Sequence, residues 1–196
     1  MIKDLMLSYG YSEEDIDGII TSYSLAKLSP ETLEKKIKEN YEFLLRLGYS
    51  KEDIIKMTKT QPSIYGYSIE NMKQKIEDME ALGYSKEDVI KMTKSLPTIY
   101  GYSIDNMRQK IEFYDSIDMH DLAIVDPKIL MQSVDLSYAR YEFLKSKGIM
   151  VDMSNYGKLF TNNKRFEKTY GVTKQEILEK YSYEKHMEEI KNGDIR

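Results

Sequence analysis

Apolar positions along this chain recur at helical spacing. Between Ser68 and Gly83 they fall at Ile69, Met72, Ile76, Met79 and Leu82, a 3-4-3-3 series that marks one stripe of a helix. The same stripe returns 35 residues later, and the segment around it is written twice: residues 47–81 and 82–116 share 25 of 35 positions. A fixed period of that size is the signature of a stacked-repeat protein, in which each unit needs a neighbour to bury its apolar face. No stretch alternates apolar and polar residues with the period of a strand.

Within one unit the punctuation is specific. Gly48 follows a helical run and can end it in the left-handed region. Ser50 then offers an N-cap, with Asp53 at the reciprocal capping-box position. Glu52 and Asp53 place negative charge on the first turn, where the helix dipole favours it. This predicts a first helix over about 51–60. Pro62 stops it, and residues 62–65 fit one tight turn of 3₁₀ type. Ser68 caps a second helix predicted over about 69–82, which Gly83 ends.

The rest of the chain reads as worn copies. Residues 1–47 form an irregular N-terminal unit, with Met1–Tyr9 the tail of a helix, Gly10-Tyr11-Ser12 a repeat start, and Pro30 at the first position of a long second helix. Residues 117–148 form a shortened unit: a brief first helix over 118–125, Pro127 in the turn, Ser133 as cap and Gly148 as stop. Residues 149–196 are C-terminal capping helices, with short helices at 152–161 and 163–170. A Thr173/Glu176 capping box then opens a final charged helix that reaches about Lys191. The expected fold class is all-α, an α-solenoid of repeats of about 35 residues, each two helices plus a short Pro-initiated 3₁₀ turn, in one domain spanning 1–196.

Composition narrows the function classes. The 196 residues include no cysteine, which excludes disulfides, thiolate chemistry and Cys-type zinc sites. No apolar run has the roughly 18–20 residues of a membrane span, and the acidic N-terminal stretch resembles neither a secretory signal nor a transit peptide. A cytoplasmic protein is expected, or an organelle-matrix one if the chain is a mature form. The net charge is −4, which argues against indiscriminate coating of nucleic acid but not against a local basic stripe.

The repeated letters LGYSKEDI, Pro62 and SIENM, with LGYSKEDV, Pro97 and SIDNM, resemble the mitochondrial transcription termination factor family, mTERF. Pro127-Lys128-Ile129-Leu130, Ser133 and Tyr141-Glu142-Phe143-Leu144-Lys145 resemble its later units, so the likeness runs over roughly residues 10–181. It implies a superhelix of two-helix-plus-3₁₀ units whose concave face binds nucleic acid, often double-stranded DNA, in members that act in transcription, translation or RNA handling. The chain departs from the family in being acidic and in carrying only five arginines.

No residues assemble an enzyme, and no cofactor is expected. His120 and His186 lack a ligand partner at i+4, and adjacent acids on a helix point apart. The functional candidates are basic. Lys56 and Lys59 share a face of the first helix, and Lys91 and Lys94 repeat them one unit on, so stacking would line four ammonium groups along a ridge suited to phosphates. Lys73 and Lys75 on the second helix, with Arg108 and Lys110 in the next unit, form a second possible track, and Arg140 lies further along. Ordinary solvation, including a Glu52–Lys56 pair of about 0.3–0.5 kcal/mol, is the competing reading. The periodic tyrosines Tyr49, Tyr65, Tyr67, Tyr84, Tyr100 and Tyr102 fit packing between units, with hydroxyls reaching water or turn carbonyls. Met57, Met72, Met79, Met92 and Met107 fit core positions. The leading expectation is a DNA-binding repeat protein that regulates transcription. The alternative is a protein-docking scaffold. A monomer with no membrane association is expected.

Overall fold

The computed structural model describes residues 2–193, and helices account for nearly all of their regular structure, with no strand among them. In chain order the elements are α1 (Ile2–Tyr9), α2 (Glu13–Ile20), α3 (Pro30–Leu47), α4 (Lys51–Thr60), η1 (Pro62–Gly66), α5 (Ile69–Glu80), α6 (Lys86–Ser95), η2 (Pro97–Gly101), α7 (Ile104–Asp115), α8 (Leu122–Val125), η3 (Pro127–Met131), α9 (Val134–Ser146), α10 (Gly157–Phe160), α11 (Asn163–Tyr170), α12 (Lys174–Lys180) and α13 (Tyr183–Asn192), where η denotes a 3₁₀ turn. The all-α helical-repeat fold expected from the periodicity is what the chain adopts.

The local chemistry dictates the boundaries. Ser50 and Ser85 accept from the backbone N–H groups of Asp53 and Asp88, whose carboxylates accept in return from the cap N–H groups, so both twin repeats open on a complete capping box. Gly48 and Gly83 take φ of +103° and +99°, a region that bars most side chains. Each proline turn is an independent 3₁₀ element, η1, η2 and η3.

Contacts divide the chain into two compact units, one ending at Ile104 and one starting at Asp105. In the first, α2, α4 and α6 pack side by side as one row and α1, α3 and α5 as a second. The turns η1 and η2 touch each other and are flanked by both rows, so three layers close over the core. Ile16, Ile54, Met57, Ile64, Met72 and Met92 are at most 1% exposed there, and of the predicted stripe Met72, Ile76 and Met79 are buried while Ile69 and Leu82 are half-buried. In the second unit α9 is the hub, touching α10, α12 and α13.

Four expectations need correction. The second helix of the repeat ends at Glu80, not Leu82, because Ala81 and Leu82 already leave the helix as a turn that Gly83 completes. The first helix of the shortened unit is a single turn, α8. Asp118, at the Gly83 position, takes φ +58°, and His120 replaces the capping serine, so α8 has no side-chain cap. The helix expected over 152–161 shrinks to α10. The final helix is two helices, because the chain breaks at Tyr181 and restarts with Ser182 capping α13.

Candidate nucleic-acid interface

The first-helix row carries the lysine ridge. Lys56 is exposed and has no ion-pair partner among the described residues. The expected Glu52–Lys56 pair is not among the ion pairs of the described residues. The other three lysines are engaged. Lys59 Nζ lies 2.7 Å from Asp15, Lys94 Nζ 2.7 Å from Asp53, and Lys91 Nζ 3.5 Å from Asp88. The first two pairs repeat one design: the first-turn aspartate of one unit meets the last-turn lysine of the next. Lys59 and Lys94 hold the carboxyls of Asp15 and Asp53 below the usual carboxylate range.

The second track divides by helical geometry. Lys73 and Arg108 are exposed, but Lys75 and Lys110 are buried, because residues two apart on a helix point in nearly opposite directions. Lys75 Nζ donates to the Tyr102 carbonyl at 2.7 Å, and Lys110 Nζ to the Leu130 carbonyl at 2.5 Å and to Asn106 Oδ1. Arg140, 3% exposed, donates to the Leu159 carbonyl and Asn163 Oδ1 while its guanidinium lies over the Phe166 ring. These three cations therefore donate hydrogen bonds to the fold's own carbonyls, and Lys75 also borders a groove between α5 and η2. Burial lowers the pKa of both Lys110 and Arg140.

They belong to a series. Asn40 occupies the Lys75 position one period earlier, and its Nδ2 donates to the Ile64 and Tyr67 carbonyls, while Lys36 Nζ donates to the Gly66 carbonyl. A 3₁₀ turn leaves terminal carbonyls without intrahelical partners. In each unit a donor from the preceding second helix satisfies them, by Asn40 for η1, Lys75 for η2 and Lys110 for η3. Composition alone does not show this role for Asn40 and Lys36, but the 35-residue offset from Asn40 to Lys75 to Lys110 was available to show it.

The tyrosines pack between units, but their hydroxyls bond to one another. Tyr11 Oη lies 2.7 Å from Thr58 Oγ1 and 2.5 Å from Tyr65 Oη, and Tyr49 repeats this with Thr93 and Tyr100. Thr58 and Thr93 donate to the carbonyls of Ile54 and Val89. Each hydroxyl has one proton, so the direction is fixed: Tyr65 donates to Tyr11, Tyr11 to Thr58, and Thr58 to Ile54. Burial pushes the Tyr11 phenol up to about 12 and those of Tyr65 and Tyr100 higher still.

Two of the grooves on this framework border the candidate basic residues. One of about 340 Å³ lies between α5 and η2, against Tyr67, Asn71, Gln74 and Tyr102. The other, about 620 Å³, lies in the second unit beside α13, against Arg108, Glu112, Asp135, Glu184 and Glu188. Among the described residues no cluster of His, Cys, Asp or Glu could hold a metal, and no helix is long and apolar enough to cross a membrane.

The repeat architecture agrees with a comparison against family models, in which the model described as mTERF matches residues 3–167, most of the chain. The chain belongs to the mTERF family. A comparison with curated proteins finds no match. mTERF proteins are non-enzymatic helical-repeat proteins that bind nucleic acids. The match leaves α12 and α13 outside it, and the Asp15–Lys59, Asp53–Lys94 and carbonyl-donor contacts inside it.

Proposed function

We propose that this mTERF protein binds the phosphate backbone of nucleic acid, double-stranded DNA first, through the lysines of α4 and α6, in a transcriptional role within the cytoplasm or an organelle matrix. The observation that supports this is the repetition of Lys51, Lys56 and Lys59 as Lys86, Lys91 and Lys94 on two helices packed side by side. Packed helices lie about 8–10 Å apart, so the row offers cations at a regular step. Lys56 and Lys91 carry the contact. Lys59 and Lys94 hold the repeats in register through Asp15 and Asp53, and their half-exposed ammonium groups lend a weaker field.

Titrating a random-sequence duplex at two salt concentrations tests this. Binding should weaken as salt rises, with a slope of about −0.9 per phosphate neutralised. Lys56→Ala with Lys91→Ala should flatten the slope by about two such contacts while leaving the melting temperature unchanged. Absence of binding at low salt would sink the reading. A second reading, a protein-docking scaffold, is favoured by the groove beside α13. There Glu112, Asp135, Glu184 and Glu188 have no ion-pair partners among the described residues. It predicts that the Lys56/Lys91 variant leaves the binding partner unaffected.

A further inference from the structure

The three repeats that carry a carbonyl donor are not equivalent, and the difference opens a site. On α3, Lys36 reaches across to the Gly66 carbonyl at 3.1 Å and Asn40 takes the carbonyls of Ile64 and Tyr67. One period later the positions are Asn71 and Lys75. Lys75 takes over the donor role at Tyr102. Asn71, too short to span as Lys36 does, leaves the space beside η2 unfilled, and the 340 Å³ groove is that space. On α7 the pair is Asn106 and Lys110, but η3 reads Leu130-Met131-Gln132 where η2 and its cap read Tyr100-Gly101-Tyr102. At η1 the amide of Asn40 is buried on the turn carbonyls, whereas at η2 the exposed amide of Asn71 stands beside the phenols.

The walls are fixed in place. Ser63 Oγ donates to the Tyr67 hydroxyl at 3.3 Å and Thr98 Oγ1 to the Tyr102 hydroxyl at 3.2 Å. Gly101 is what lets Tyr67 lie there, since a Cβ at this position would collide with its hydroxyl oxygen. Gln74 Nε2 donates to Asp78 at 3.1 Å, which fixes the amide and leaves its oxygen as an acceptor. The Asn71 carboxamide has no side-chain partner among the described residues. Lys75 and Asp78 complete the α5 side of the groove, while Lys73 lies on the opposite face of that helix. A carboxamide offers a donor and an acceptor side by side, the complement of an adenine edge, and a phenol offers a face for stacking.

We propose that this groove accepts one unstacked nucleobase, with Asn71 and Gln74 reading its edge and Tyr67 and Tyr102 walling its ring. The inference rests on the nucleic-acid reading, and its test separates the two. The full chain is titrated with oligodeoxyadenylate of roughly 15 nucleotides, about one binding site for a single strand, and with an abasic deoxyribose-phosphate strand of equal length. The wild type should prefer the base-bearing strand by at least about fivefold, the lower range of one amide–base pair. Asn71→Ala with Gln74→Ala should abolish that preference and leave the salt slope unchanged. Asn71→Lys restores the residue of the α3 repeat. It should also abolish the preference while tightening binding to both strands. Equal affinity of the wild type for the two strands overturns the base site and leaves phosphate binding standing. A preference that survives Asn71→Lys also overturns it. Failure to bind either strand at low salt overturns both readings.

Discussion

At the scale of single residues, this protein joins its repeats with hydroxyl groups. Thr93 accepts from Tyr49 and donates to Val89 within its own helix, with the whole group out of contact with water. Thr93→Val keeps the volume and removes the relay, leaving the Tyr49 proton without its acceptor. A buried donor stranded in this way costs about 1–3 kcal/mol. Urea unfolding should therefore show a loss in that range for Thr93→Val, and a similar loss for Thr58→Val. A change under about 0.5 kcal/mol in both would mean that the hydroxyls are satisfied some other way. Gly101→Ala acts through space instead of bonding. Its Cβ would meet the Tyr67 hydroxyl oxygen, so Tyr67 must swing out or the turn must shift. The expected result is a destabilised protein that Tyr67→Phe partly rescues, measured as the melting temperature of the double variant against the single one. The periodic tyrosines were legible as inter-unit packing, but not as a relay. Tyr11, Thr58 and Tyr65 belong to two different repeats, and a sequence pattern on one helix carries no information about which hydroxyls on neighbouring units converge.

At the scale of elements, the 3₁₀ turns are held by donors from the preceding second helix. Lys75 is 8% exposed and its ammonium lies 2.7 Å from the Tyr102 carbonyl. Lys75→Ala removes a charge-assisted hydrogen bond and opens a space, at a cost of about 1.5–3 kcal/mol. For a chain of this size each kilocalorie shifts a melting temperature by about 2–4 °C. Lys75→Met fills the space and removes the charge, so it should cost less than Lys75→Ala. Identical melting temperatures for Lys75→Ala and the wild type would show that the carbonyl is satisfied by water. The boundaries of α4, η1 and α11 were legible because proline, serine and glycine fix them through local backbone chemistry. Those of α8 and α12 were not. At α8 the repeat loses its Ser cap and Gly stop together, and at Ser182 a single capping serine restarts a helix inside a continuous charged pattern. The basic candidates split in the same way. Spacing separates Lys73 from Lys75 by roughly half a helical turn, so one of them had to face inward, but only packing shows which.

At the scale of the whole molecule, charge is arranged to serve folding as well as binding. The chain has 33 acidic residues against 29 basic ones. Asp15 and Asp53 are pinned by Lys59 and Lys94, while Asp88, Asp152 and Glu176 accept hydrogen bonds from Ser85, Ser154 and Thr173. All five carboxyls have pKa values below the ordinary range. A carboxyl with a depressed folded-state pKa binds protons more readily when unfolded. It therefore contributes stability above its unfolded value of about 4, and that contribution disappears as pH falls through the lower folded value. Stability should be flat from about pH 6 to 8 and fall steeply below about pH 4, at fixed ionic strength. Asp15→Asn combined with Asp53→Asn deletes the two inter-repeat ion pairs. It should lower stability at pH 7 and flatten the acid limb, so that the variant and the wild type converge at about pH 2. These ion pairs are partly exposed, so raising salt from about 0.1 M to 1 M should also narrow the gap at pH 7, because the Debye length shortens from about 10 Å to 3 Å. Two acid limbs that run parallel at every pH would show that Lys59 and Lys94 do not hold Asp15 and Asp53 in solution. Those lysines would then be available to phosphate together with Lys56 and Lys91.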